Sequence, residues 1–208
     1  LSKAFMDYSA SGLENPLTHL ALVLFFVFFI EKPSSPFRLA LLASLIALNR
    51  LDAILFVLPA LFYLFLPSSL RAKRSNPSAR EEIASTEVRR LAMTVRDLFI
   101  GFLPLLLWEA FSLIYYGFPF PNTYYAKLGA GIPQNALLAQ GLVYFLDSFT
   151  RDPLTLTIIL AGLVLAFWRG QTRERLLALG SLLYLGYVLS IGGDFMSGRF
   201  LTASLLVS

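Results

Sequence analysis

Nine residues stand out by type and position: Asp7, Glu14, Arg50, Asp52, Asn122, Tyr124, Lys127, Asp194 and Arg199. Each lies where a polar stretch meets a long apolar run. Carboxylates in such places can serve as a general base or hold a divalent cation through oxygen. Guanidinium and ammonium groups can hold a phosphate. Aromatic rings such as Tyr124 can pack against a sugar or a polyprenyl chain. The combination fits transfer of a sugar from a polyprenyl-phosphate donor, whose lipid lies in a bilayer and whose phosphate lies at its surface. The densest instance is the stretch from Gly192 to Phe200, with a carboxylate, a guanidinium and three glycines between two apolar runs. Charges placed like this face a cavity, pair with each other or mark a substrate path.

Each candidate also has a structural role to weigh. Asp194 and Arg199 can form an ion pair that pins a turn. Arg50 and Asp52 can cap a helical hairpin. Glu14 suits the N-terminus of the helix that Pro16 starts. Lys127 can be an ordinary loop lysine. His19, one turn into that helix, reads as a packed helix residue. Glu109 sits within an apolar run and calls for a partner. The single histidine and the absence of cysteine argue against disulfides, thiolate sites and a His-based metal centre. No phosphate-binding loop, dinucleotide fingerprint or zinc spacing is present.

The elements that must position these groups are helices. Only 14% of the 208 residues are charged and 57% are hydrophobic, against about a quarter charged in soluble domains. The apolar residues fall in long runs, as membrane-spanning helices require. The runs predict span A over 17–30, B over 37–48, C over 53–66, D over 98–116, E over 154–168 and F over 176–191, with a seventh beginning after Arg199. B and C form one apolar stretch broken by Arg50 and Asp52. As a single helix it would be about 45 Å long, too long for a hydrocarbon core of about 30 Å, so it is read as a hairpin. Residues 134–150 read as an amphipathic helix lying at the surface. Residues 67–96 read as a polar loop.

With these six crossings, twelve of the 17 Lys and Arg residues fall on one side. That side is expected to be cytoplasmic. The nine candidate residues then share the outer face. The basic residues gather between apolar runs, which fits this rule better than nucleic-acid binding. Leu1 is no initiator Met and the last residues enter a further apolar run, so the chain reads as part of a longer protein.

Four stretches carry a resemblance. Asp7-Tyr8-Ser9-Ala10-Ser11-Gly12-Leu13-Glu14-Asn15-Pro16-Leu17 resembles an element of bacterial GT-C-type integral-membrane glycosyltransferases. Asn49-Arg50-Leu51-Asp52 resembles their hairpin motif, with Leu51 where proline is common and Ala53 where glycine is common. Pro121-Asn122-Thr123-Tyr124-Tyr125-Ala126-Lys127 and Gly192-Gly193-Asp194-Phe195-Met196-Ser197-Gly198-Arg199 look most like the terminal arabinofuranosyltransferase branch. The resemblance covers nearly the whole chain, in order. It implies an all-α polytopic transmembrane bundle in the bacterial inner membrane. It also implies a polyprenyl-phosphate sugar donor, a cell-envelope glycan or lipid acceptor, and catalysis on the periplasmic or extracellular face. The catalytic base of that family belongs to a loop that would precede Leu1, so the 208 residues alone are expected to be inactive. The alternative classes are a transporter or flippase of lipid-linked envelope precursors and a noncatalytic membrane-assembly subunit. Arg71–Pro77, with Leu91–Thr94, resembles translated repetitive DNA elements of bacterial genomes, which implies a tolerated insertion.

Overall fold

Prolines start four of the helices. A proline in the first turn lacks only an N–H that would be unpaired there, and its fixed φ suits the helix. Pro16, Pro36, Pro59 and Pro153 take this position in the computed structural model. The structure describes the chain except residues 1, 10, 11, 13, 32–34, 67–79, 120–124, 126–130, 195 and 208, and except the side chains of 80–87. The described residues form helices and turns, with no strand among them. The helices are α1 (Lys3–Ser9), α2 (Asn15–Ile30), α3 (Pro36–Asn49), α4 (Leu58–Phe65), α5 (Arg80–Tyr116), α6 (Gln134–Arg151), α7 (Pro153–Arg169), α8 (Thr172–Ser190) and α9 (Leu201–Val207), with a 3-10 turn over Leu51–Phe56.

Long-range contacts fix the helix directions. Arg173, at the start of α8, donates to the carbonyls of Phe29, Ile30 and Glu31 at the end of α2. Arg90 donates to the carbonyls of Leu64, in the last turn of α4, and of Leu66, just after it. Farther along α5, the Leu105 N–H donates to the Ser44 hydroxyl at 3.1 Å. The chain therefore reverses at Arg50, and α4 returns to the end where α3 began. This end, with Arg38, Arg90, Arg169, Arg173 and Arg175, is the basic end. The other is the turn end.

Small residues allow close approach where elements cross. A Cβ on Gly101 of α5 would lie 2.4 Å from the Ala40 Cβ of α3. A Cβ on Gly180 of α8 would lie 2.0 Å from the Phe56 carbonyl oxygen. The core lies between α2, α3, the 3-10 turn and α8, where Leu22, Phe25, Phe29, Ile46, Phe56 and Tyr184 are fully buried.

One expectation needs correction. Residues 67–96 are not all loop: helix begins at Arg80 and runs unbroken to Tyr116. The reason is local propensity, since Glu, Ala, Arg, Leu and Met dominate residues 80–96 and all favour helix. Charge opposes burial in lipid, not helix formation. The remainder of the expected insertion, 67–79, lies outside the described residues. Helix length carries the expected spans only in part. Among the described residues, one helix, Val88–Tyr116, is long and apolar enough to cross a membrane. The α6–α7 pair passes only if it is counted as one span, and it bends by 110°. Helices α2 and α3 are apolar but have 16 and 14 residues. The α4 part of span C has only eight.

Candidate functional site

The turn end assembles from three separated stretches. Glu14 immediately precedes α2, and Arg50 and Asp52 flank the start of the 3-10 turn. Asp194 and Arg199 lie in the connection between α8 and α9. Arg50 is the hub. Its Nε and NH2 donate to both oxygens of Asp52 at 3.2 and 2.5 Å. NH2 also donates to the Tyr184 hydroxyl at 2.9 Å, and NH1 to Asn15 Oδ1 at 3.3 Å. The Phe200 ring lies over its guanidinium at 5.0 Å. Arg199 donates to Glu14 Oε1 at 2.7 Å and to Asp194 Oδ2 at 3.2 Å. Glu14 lies 3.9 Å from Arg50 and so joins the two halves.

Three carboxylates thus surround two guanidiniums, with Arg50 only 8% exposed. Burial works against the Arg50 charge, and Tyr184, Asp52 and Glu14 outweigh it, so its pKa lies above the ordinary value. Burial likewise pushes the Glu14 carboxyl upward. Its own backbone amide, Arg199 and Arg50 outweigh that and hold it below the usual carboxylate value. Asn49 fixes the approach of α3 to α2, donating to the Glu14 carbonyl at 3.0 Å and to the Thr18 hydroxyl at 2.7 Å.

The connection bearing Asp194 and Arg199 is held from two sides. On one side, the Tyr8 hydroxyl of α1 donates to the Ser197 carbonyl at 3.1 Å. On the other, Tyr144 of α6 packs beneath Gly193, where a Cβ would lie 2.4 Å from the ring. Gly193 has φ +72°, so glycine is needed there for conformation as well as space. The Tyr144 hydroxyl accepts the Phe200 N–H at 3.1 Å. At the α6–α7 corner, Asp152 caps α7 and accepts from Thr155, Ser2 and the Ala4 N–H.

Of the nine candidates, Glu14, Arg50, Asp52, Asp194 and Arg199 converge in one cluster. Asp7 does not join it: it pairs with Lys3 on the exposed face of α1 at 2.5 Å. Asn122, Tyr124 and Lys127 lie outside the described residues. His19 is a packed residue, stacked on Phe5 and 3.2 Å from the Thr202 hydroxyl. Glu109 is half-buried on α5 rather than enclosed. No group of three or more His, Cys, Asp or Glu that could hold a metal ion occurs among the described residues. The cluster's carboxylates face guanidiniums instead.

Sequence reasoning passed over Asn15, Tyr144 and Tyr184. The available signal was a tyrosine inside an apolar run, because a buried phenol needs a hydrogen-bond partner. No family model, curated protein or solved structure matches this chain.

Proposed function

We propose that the chain is part of a polytopic GT-C-like glycosyltransferase of the bacterial inner membrane. The turn end faces the periplasm or extracellular space and the basic end faces the cytoplasm. There the enzyme moves a hexosyl or pentosyl group from a polyprenyl-phosphate donor to a cell-envelope glycan or lipid. The cluster shapes the donor site beside a catalytic base carried elsewhere in the full-length protein. The observation that carries this reading is convergence: Glu14, Arg50, Asp52, Asp194 and Arg199 come from three of the four motif stretches and meet at one end. The opposite end collects Arg38, Arg90, Arg169, Arg173 and Arg175.

A second reading has its own support. The hydrogen bonds of Arg50 and Arg199 run to Asp52, Asn15, Tyr184, Asp194 and Glu14 of this chain. That is the arrangement of a clamp holding α2, the hairpin and the α8–α9 connection together.

One experiment separates the two. Full-length protein in membranes is given a radiolabelled polyprenyl-phosphate sugar. Asp194→Asn and Arg199→Lys, at equal expression and equal thermal stability, are expected to lose most transfer. Unchanged transfer removes both residues from the site and leaves the clamp. Reporter fusions within 67–79 check the orientation, and an external signal there inverts it.

A further inference from the structure

Helix α6 has two faces with different tasks. At 3.6 residues per turn, Leu138, Leu142, Leu146 and Phe149 fall within an arc of about 80°, with Val143 beside it. These five residues are 39–65% exposed. The opposite face braces the end of α8 and parts of the α8–α9 connection. Gln134 donates to the Ser190 carbonyl. Gly141 sits where a Cβ would meet the Leu189 oxygen at 2.3 Å, and Leu137 and Gln140 lie against Gly192. Tyr144 supports Gly193 and accepts from Phe200.

This bracing fixes the rotation of α6, so its apolar face cannot turn inward. The 110° corner at Asp152 sets α6 across the direction of α7. The Asp147–Arg151 pair, 2.8 Å apart, lies near the C-terminal end of α6. A helix with a fixed outward apolar face, lying across the direction of the apolar helix that follows it and next to charged groups, has the form of one seated in a membrane interface.

We propose that α6 lies in the outer leaflet, with Leu138, Leu142, Val143, Leu146 and Phe149 among the acyl chains. Its other face couples that seating to the turn carrying Asp194 and Arg199. The inference rests on the membrane reading above and adds its consequence. The geometry of the cluster is set by the bilayer surface, where a lipid-linked substrate presents its phosphate.

These 208 residues hold no cysteine, and any cysteine elsewhere in the full-length protein is first replaced by serine. Single cysteines at Leu142 and Leu146 of the full-length protein are spin-labelled and reconstituted into phosphatidylglycerol–phosphatidylethanolamine vesicles. Lys3 serves as the aqueous reference and Leu107 of α5 as the lipid reference. Labels at 142 and 146 are expected to favour oxygen over a water-soluble nickel chelate several-fold more than the label at Lys3. Nickel access equal to that at Lys3 overturns the proposal, and so does exclusion of both reagents, which would mean a protein partner covers the face. If Leu107 also lacks oxygen access, the membrane reading itself has failed. In a second arm, Leu142→Glu with Leu146→Glu is expected to increase the mobility of a label at Met196. Unchanged mobility overturns the coupling.

Discussion

Replacing Glu14 with Gln tests whether the cluster is held together by charge. Glu14 accepts from Arg199 at 2.7 Å and lies 3.9 Å from Arg50. Glutamine keeps the shape and one acceptor oxygen but removes the charge. Hydrogen bonds to charged groups contribute about 1.5–3 kcal/mol. The Glu14 side chain is 27% exposed, and solvent screening reduces that figure, so the expected loss is about 1–2 kcal/mol. For a chain of this size that corresponds to a fall of about 2–8 °C in the unfolding midpoint. The assay is thermal unfolding of the purified protein in detergent, compared with the native sequence across pH.

The sign of the pH effect follows from the lowered carboxyl pKa. A depressed carboxyl contributes its full stability above the unfolded value of about 4.3 and loses it as pH falls through the lower folded value. The gap between Glu14→Gln and the native protein is therefore largest near neutrality and closes below about pH 4. A gap of the same size at pH 3.5 and pH 7 refutes the electrostatic account. So does the absence of any gap at neutral pH.

Two further predictions concern packing. Gly180→Ala places a methyl about 2.0 Å from the Phe56 carbonyl oxygen and is expected to cost about 1–3 kcal/mol. Equilibrium unfolding checks this, and a change within about 0.5 kcal/mol contradicts the α8 contact. The Ser2 and Thr155 hydroxyl oxygens lie 2.6 Å apart, so Ser2→Cys with Thr155→Cys is expected to form a disulfide on mild oxidation. That bond tethers α1 to the start of α7 and raises stability over the reduced form by about 2–4 kcal/mol. Free-thiol titration and a reductant-sensitive gel shift report it, and persistent free thiols contradict the placement of α1.

Much of the helix map was legible in the chain itself. Apolar runs and first-turn prolines mark α2, α3, α7 and α8 to within a few residues. The charges of Arg50 and Asp52 mark the reversal between α3 and α4. The amphipathic pattern of residues 134–150 marks α6. These features are local, and local rules of helix start, length and polarity are enough to read them. The boundary of α5 was not legible from polarity, because residues 80–96 are polar and strongly helix-forming together.

The site was legible only in part. The sequence alone marked Glu14, Arg50, Asp52, Asp194 and Arg199 as costly polar residues at helix ends, and their charge pattern grouped them at one end. It said nothing of which carboxylate meets which guanidinium. Asp7 had the same credentials as Glu14, yet it faces Lys3 on an exposed helix surface. Tyr184, Asn15 and Tyr144 look ordinary in the sequence and hold the cluster. Those assignments depend on the rotation and relative depth of each helix. They are set where Gly101 meets Ala40, Gly180 meets Phe56 and Gly193 meets Tyr144, through contacts between residues far apart in the chain. Helix position is a property of short stretches and could be read directly. Pairing within the cluster is a property of packed surfaces, and only the tertiary structure decided it.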